Sequence, residues 1–461
     1  MQPKLSQRQI MSLMVISLML LMENIDANII SIAIPTIAMS LHTSALNLKL
    51  AVTSYLISLA IFIPISGWIA DKFGTKKVLF ISIMMFVIFS LCCGSAQSLI
   101  LLVTFRFLQG IAGAFMAPVG RLLLLKAFNK DDLVRVYIIM AMPVILGPLL
   151  APLIGGSLIT YLNWRYIFWV NLPIGVFGML ATYLFVDNYI GETRRFNWWS
   201  FIWLGLFLSL FSFWLDILFF PLSYKFKLYL LFAWLFSVVC YLKVELSSVN
   251  RIINYSLFKI RTFSLSFYAS FMVRAAFGGR NFALALFLQI SLHMTPLHSG
   301  YLLSCLAFGL FIGRMLMNKL LPYFGFRQIM IFTNIGTSLS ILLFCFVREI
   351  NAFAISILII HGMFSAMSFM MLNVLIFADV SREDYAGAAS IANTIQQLSV
   401  SFGVVVMASS LNLFNHLFGL FEHRVFYATF ILIAALGMVN QLFFRQLLPD
   451  DGANLIKPKE N

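Results

Sequence analysis

Charge is what this chain has least of: 10% of its 461 residues are Asp, Glu, Lys or Arg, while 61% are hydrophobic. Soluble domains average about 25% charged and roughly 45–50% apolar residues. With a mean hydropathy of +0.96, a water-soluble core is excluded, and the bilayer is the expected solvent. Acids are scarcest, 17 against 31 Lys and Arg, for a formal charge of +14. The basic residues recur in short clusters between apolar runs and form no single patch, which reads as membrane topology and not as affinity for nucleic acid. The five cysteines (Cys92, Cys93, Cys240, Cys305, Cys345) lie inside apolar runs and read as packing residues, not as a disulfide or metal site. No Gly-x-x-x-x-Gly-Lys-Ser/Thr loop is present, so ATP is not the expected direct energy source. No His-Glu-x-x-His, Gly-x-Ser-x-Gly or paired-His pattern is present either, and no membrane-embedded enzyme is expected. The longest polar stretches, Glu245 to Phe263 and the tail after Arg445, are linker-sized.

What the chain has in abundance is apolar runs of spanning length, about 20 residues each. Six fall between positions 11 and 186, two near 200–220 and 227–245, and six between 264 and 444. The first carries Glu23 and Asp26 and lacks a small-residue cleavage site, so it is expected to be a retained helix. With both termini placed in the cytoplasm, Lys and Arg concentrate in the inner loops, as the positive-inside rule requires. The expected fold is an all-α polytopic membrane protein of fourteen spans: a six-helix bundle over 1–199, two additional central transmembrane helices and a linker over 200–263, and a second six-helix bundle with a short tail over 264–461.

Four blocks in the first half have specific spacing. The loop after the second span reads Gly67-Trp-Ile-Ala-Asp71-Lys72-Phe-Gly74-Thr-Lys76-Lys77, a turn in which glycines permit close approach and an acid sits beside bases able to latch helices. The fourth span carries Arg106-Phe-Leu-Gln109-Gly110-Ile-Ala-Gly113, and the fifth Gly147-Pro148-Leu-Leu-Ala151-Pro152-Leu-Ile-Gly155-Gly156. The sixth opens Asn163-Trp164-Arg165 and continues to Asn171-Leu-Pro173-Ile-Gly175. Together these blocks resemble the major facilitator superfamily, in its fourteen-span drug:proton antiporter branch of the EmrB/QacA type. The first helix is similar to that branch's Asp-x-Thr-x-x-Asn-x-Ala-x-Pro pattern through Asp26, Ala33 and Pro35, with Asn28 and Ser31 in place of Thr and Asn. Pro118-Val-Gly-Arg121, Thr193-Arg194-Arg195-Phe196 and Arg261-Thr-Phe-Ser-Leu265 look like MdtD-like members of the branch. The resemblance is strong in the first half and weaker after Ser291. It implies two bundles that alternate about a central site, with a proton gradient as the energy source and no bound cofactor or metal.

A charge at the bilayer centre is costly unless it faces a cavity or a partner. Burial and a nearby acid favour the protonated form of a carboxyl group, and a nearby guanidinium favours the ionised form. Asp26, with Glu23 three residues away and Arg106 at similar depth, is therefore the expected proton-coupling group. A permanent Asp26–Arg106 pair tying two helices together is the alternative. Asp26, Arg106 and Arg280 are expected to share one polar cavity. Gln109, Arg274, Arg280, Asn281 and Gln397 are the substrate-binding candidates, while Asn393 and Gln396 could serve either substrate or interhelical hydrogen bonding. Three buried arginines against two buried acids favour a carboxylate-bearing solute over a lipophilic cation. Asp216 is read as a helix-end anchor and His361 as a packed histidine. The expected activity is proton-coupled export of drug-like compounds, or of carboxylate-bearing metabolites and metal chelators such as siderophores, from a bacterial inner membrane. Import of an anionic solute by symport is the runner-up. Lipid, the solute and protons are the expected partners, with an outer-membrane partner left open.

Overall fold

The computed structural model describes residues 6–128, 133–191, 195–217, 223–381, 384–419 and 423–452, and all of its regular elements are helical. Thr193 and Arg194 of the MdtD-like loop lie outside the described residues. In chain order the long helices are α1 (Gln7–Ser40), α2 (Lys49–Phe73), α3 (Thr75–Gly94), α4 (Leu99–Ala127), α5 (Leu133–Tyr161), α6 (Tyr166–Phe185), α7 (Trp198–Ile217) and α8 (Tyr224–Ser247). The second half has α9 (Arg261–Leu286), then the helical stretch Pro296–Leu342, whose two arms are α10 (296–324) and α11 (326–342). It ends with α12 (Ala352–Leu375), α13 (Tyr385–Phe418) and α14 (His423–Val439). Among the described residues thirteen helical segments are long and apolar enough to cross a membrane, and α5 adds the shorter apolar stretch Leu146–Tyr161. The chain is therefore a multi-pass membrane protein.

Helix starts and stops follow local chemistry. Ser6 and Gln9 form a capping box at α1, Ser98 accepts from Leu101 N at α4, and Thr295 caps α10 ahead of Pro296, each satisfying N–H groups that the first helical turn leaves open. Gly74 (φ 92°) lets α2 turn directly into α3, and Gly325 (φ 67°) breaks the 47-residue stretch into α10 and α11, a backbone region that non-glycine residues avoid. Two boundaries differ from expectation in ways that matter. The fourth helix runs to Ala127 where the sequence suggested an end near 120, which places Arg121 inside it, and the tenth runs to Gly325, so that Arg314 stands well inside a helix.

In the first half, α1 packs on α5 and α6, α2 on α4, and α3 on α4 and α6; in the second, α9 packs on α13 and α14, α12 on α10 and α11, and α11 on α14. The halves meet where α5 lies along α10 and α2 along α13. At the first seam the helices are as close as glycine allows: a Cβ on Gly156 would sit 2.7 Å from the Pro296 carbonyl oxygen, and one on Gly300 2.3 Å from that of Pro152. Gln289 Nε2 donates to Ile32 O (2.9 Å) at the same end. Helices α7 and α8 pack on the outside of α2, with Phe201, Leu204, Leu208 and Tyr241 against Ile57, Ile61 and Ile65. Two buried carboxylates fix them: Asp216 pairs with Lys49 (3.3 Å), and Glu245 accepts from Ser200 Oγ and from Ile253 N (2.8 Å).

Candidate functional site

Between the halves lies a central cavity of about 520 Å³. Its lining follows helical periodicity. From α1 it takes Glu23, Asn24, Ala27, Asn28 and Ser31; from α9, Ser270, Arg274, Phe277, Gly278, Asn281 and Phe282. Steps of three and four residues keep one stripe on one face. Helices α12 and α13 contribute Phe369, Asn373, Asn393, Gln396 and Gln397, and the lining reaches Ile376, Phe377 and Ala389 at the end opposite the Gly156–Pro296 seam. The cavity thus extends toward one end of the molecule while the other end is closed by packed backbone.

Arg274, Asn281, Gln397 and Glu23 all line this cavity. So do Arg121 and Arg314, which the sequence did not single out as substrate-binding candidates. Among the described residues the lining then carries three guanidinium groups against one carboxylate, Glu23. Arg274 Nη2 donates to Asn373 Oδ1 (2.5 Å) and its guanidinium lies 5.4 Å from the Phe369 ring centre. Arg274 Nε and Glu23 Oε2 are both buried without a hydrogen-bond partner among the described residues.

Asp26 faces away from the cavity. It is fully buried, one hundred-degree step off the α1 stripe. Its Oδ2 accepts from Arg106 Nη1 (2.6 Å), and its Oδ1 from Gln109 Nε2 (3.0 Å) and Asn171 Nδ2 (2.7 Å). Gln109 also donates to Ser90 Oγ (2.8 Å) and accepts from Arg106 (2.8 Å), while Arg106 Nε reaches the Ala51 carbonyl (3.4 Å). Five helices, α1, α2, α3, α4 and α6, are tied at this one carboxylate. Tyr55 is the partition: the Arg106 guanidinium lies 4.2 Å from its ring centre, and the residue also lines the cavity.

The expectation that Asp26, Arg106 and Arg280 share one cavity is corrected. Arg280 lies six residues beyond Arg274, which turns it off the α9 stripe and into the interior of the second half, where it bonds Ser365 and Asn281. Gln109 is likewise inside the Asp26 network and does not line the cavity. His361 packs in the second half, its Nδ1 bonded to Ser340 Oγ (2.7 Å).

The motif residues hold helices together. Asp71 pairs with Lys126 of α4 (2.9 Å), and its carbonyl accepts from Gly191 N (3.0 Å). A Cβ on Gly74 would strike the Asn188 side chain, whose Oδ1 accepts from Lys76 N (3.1 Å). Gly67 has open space around it. In the fifth helix Gly147 is in contact with Asn24, Gly155 with Ile29 and Ile32, and Gly156 with Pro296; Pro148 lines the cavity, and Pro152 receives Gly300. These small residues let α5 lie directly on α1 and α10.

Comparison with known proteins agrees with this architecture. The family model described as Major Facilitator Superfamily matches residues 16–244 and 266–460. The provisionally named multidrug resistance protein MdtD of Citrobacter koseri is 31% identical over 445 residues, covering 94% of each chain. Its namesake in Klebsiella pneumoniae subsp. pneumoniae is 31% identical over 454 residues, 95% of each. Among solved structures, a D-xylose-proton symporter superposes with a TM-score of 0.68 at 15% identity, covering 96% of this chain and 99% of that one. A peptide transporter POT in complex with sulfate gives 0.71 at 13%, covering 96% and 95%. By the family model and these relatives the chain belongs to the major facilitator superfamily and is a transporter, not an enzyme.

Proposed function

We propose that this chain is a proton-coupled exporter of carboxylate-bearing small organic solutes, working in a bacterial inner membrane with both termini in the cytoplasm. The observation that carries the substrate class is the central cavity's lining, in which Arg121, Arg274 and Arg314 stand against Glu23 alone. Guanidinium forks facing a walled cavity concentrate anions and match carboxylate geometry. A lipophilic cation entering the same space meets like charge at three points. Export, as against import, is supported by the curated relatives, whose printed names are of multidrug resistance proteins, and by the Gly-Pro-rich fifth helix.

Proton coupling rests on Glu23, Asp26 and Arg106. Glu23 meets the cavity, and Asp26 sits one helical turn away behind Tyr55, paired to Arg106. In the alternating cycle the solute enters from the cytoplasmic end, where the cavity reaches Ile376 and Ala389. Bundle rocking then opens the Gly156–Pro296 seam, and a proton from outside replaces Arg106 as the partner of the Asp26 carboxylate. The bundles at 1–199 and 264–461, with the 200–263 insert riding on the first, are the moving bodies of this proposal.

Reconstitution into proteoliposomes under an imposed pH gradient tests the coupling. Asp26→Asn and Glu23→Gln should each lose gradient-driven counterflow while still binding solute. Unchanged counterflow in both variants removes these acids from the mechanism.

A further inference from the structure

A second, smaller chamber lies inside the second half, separate from the central cavity. Its polar walls include Arg280, Ser365, His361 and Asn440 among other amide and hydroxyl side chains, and Phe277 and Phe369, which line both spaces, stand between them. Their rings meet edge to face at 4.7 Å.

Arg280 is 1% exposed and has no acid within ion-pair distance among the described residues. Of its five N–H donors, Nε and Nη2 reach Asn281 Oδ1 (3.2 and 2.7 Å) and Nη1 reaches Ser365 Oγ (3.1 Å). The remaining donors have no protein acceptor among the described residues. The guanidinium also lies over the Phe277 ring, 4.4 Å from its centre, but a ring face carries no net charge, and since a guanidinium does not shed its own by deprotonation, a counter-charge beside it is favoured at this depth. Two further buried groups are also unmatched. Asn440 is 0% exposed with neither side-chain atom bonded, and His361 Nε2 has no partner among the described residues. The chamber has room for only a few water-sized particles, which excludes an organic solute. Water would satisfy hydrogen bonds but leave the charge uncompensated.

We propose that this chamber is a binding site for one small inorganic anion of halide size, held by Arg280 and the Asn440 amide N–H. The anion would neutralise Arg280 and so fix Asn281, whose carboxamide Oδ1 accepts from Arg280 and which lines the central cavity. The site is independent of which solute is carried and of the coupling acids.

The purified full chain in lipid nanodiscs provides the test. Thermal unfolding is followed while sodium bromide or chloride replaces sodium gluconate at constant ionic strength. A saturable rise in Tm is expected for the parent and for Arg274→Met, and its loss in Arg280→Met. No halide-dependent rise in the parent, or an equal rise in Arg280→Met, overturns the proposal. Should Arg280→Met fail to fold, crystals of the parent grown in bromide decide the matter. An anomalous peak between Arg280 and Asn440 is expected, and an empty chamber in those crystals overturns the assignment.

Discussion

At the scale of single residues the Asp26 carboxylate is closely satisfied, since three side-chain donors from two other helices converge on it. Each hydrogen bond to a buried charge is worth about 1.5–3 kcal/mol. Asn171→Leu, which removes a donor from Oδ1 without touching the cavity, should lower stability by about 1–3 kcal/mol. Arg106→Gln should cost more, about 3–5 kcal/mol, because it leaves a buried carboxylate without its cation. The pairing is checked by a double variant: Asp26→Asn combined with Arg106→Gln should unfold closer to the parent temperature than Arg106→Gln alone. A strictly additive result in that cycle would mean the two side chains do not depend on each other.

Single residues also show what was readable beforehand. Asp26, Glu23 and Arg106 stood out because acids and bases are so rare inside the apolar runs. Their sorting between cavity and interior did not. It is set by one helical step: 23, 24, 27, 28 and 31 form the cavity stripe, and 26 is off it. The same arithmetic separates Arg274 and Asn281 from Arg280. Applied along α9, it would have placed Arg280 correctly. Arg121 was hidden for another reason, since α4 runs about two turns past the point where apolar density falls, and Arg314 sits near the end of its apolar run, where a basic residue reads as topology. Their aliphatic stems and the cavity they face let a charged residue sit inside a helix there.

At the scale of elements, the seam between α5 and α10 is the piece whose separation the transport cycle requires. Glycine at 156 and 300 allows backbone-to-backbone contact, and either Cβ would come within 3 Å of a facing carbonyl oxygen. Gly156→Leu should therefore hold the seam apart. Faster hydrogen–deuterium exchange in the first turns of α10 is expected, together with loss of transport, while α12 exchanges as before. Unaltered exchange in α10 would show that the seam is not the closed gate. The extra helices α7 and α8 make a separate case. Asp216 is anchored to Lys49 at one end of α2, as expected for a helix-end residue, and Glu245 holds the other end of the insert. Lys49→Met leaves Asp216 buried without its cation, and should loosen α7 from α2 and lower the unfolding temperature without changing substrate preference.

For the whole molecule, apolar bulk and the alternation of basic loops were enough to read the fold class, an all-α membrane protein of many passages. The contacts between helix ends fit that threading. Asp71 at the end of α2 meets Lys126 at the end of α4, Arg165 at the start of α6 meets the carbonyls of Gly94 and Ala96 at the end of α3, and Arg261 at the start of α9 meets Asp451 beyond α14. The shape of the central cavity was not readable, because it depends on which faces of α1, α9, α12 and α13 converge. Its cationic character was expected, yet it arises from a different set of arginines. Arg106 is neutralised by Asp26 and Arg280 is walled off, while Arg121 and Arg314 join Arg274 in the cavity. The substrate class therefore rests on those three side chains. The most direct measurement is uptake into inverted membrane vesicles under an imposed pH gradient. It compares a panel of radiolabelled mono-, di- and tricarboxylates with lipophilic cations of matched size, in the parent and in Arg121→Gln, Arg274→Gln and Arg314→Gln. Carboxylate uptake that depends on the gradient and falls at least tenfold when the arginines are replaced is the expected result. Gradient-driven uptake of the cations with none of the carboxylates, unchanged by the arginine substitutions, would contradict it.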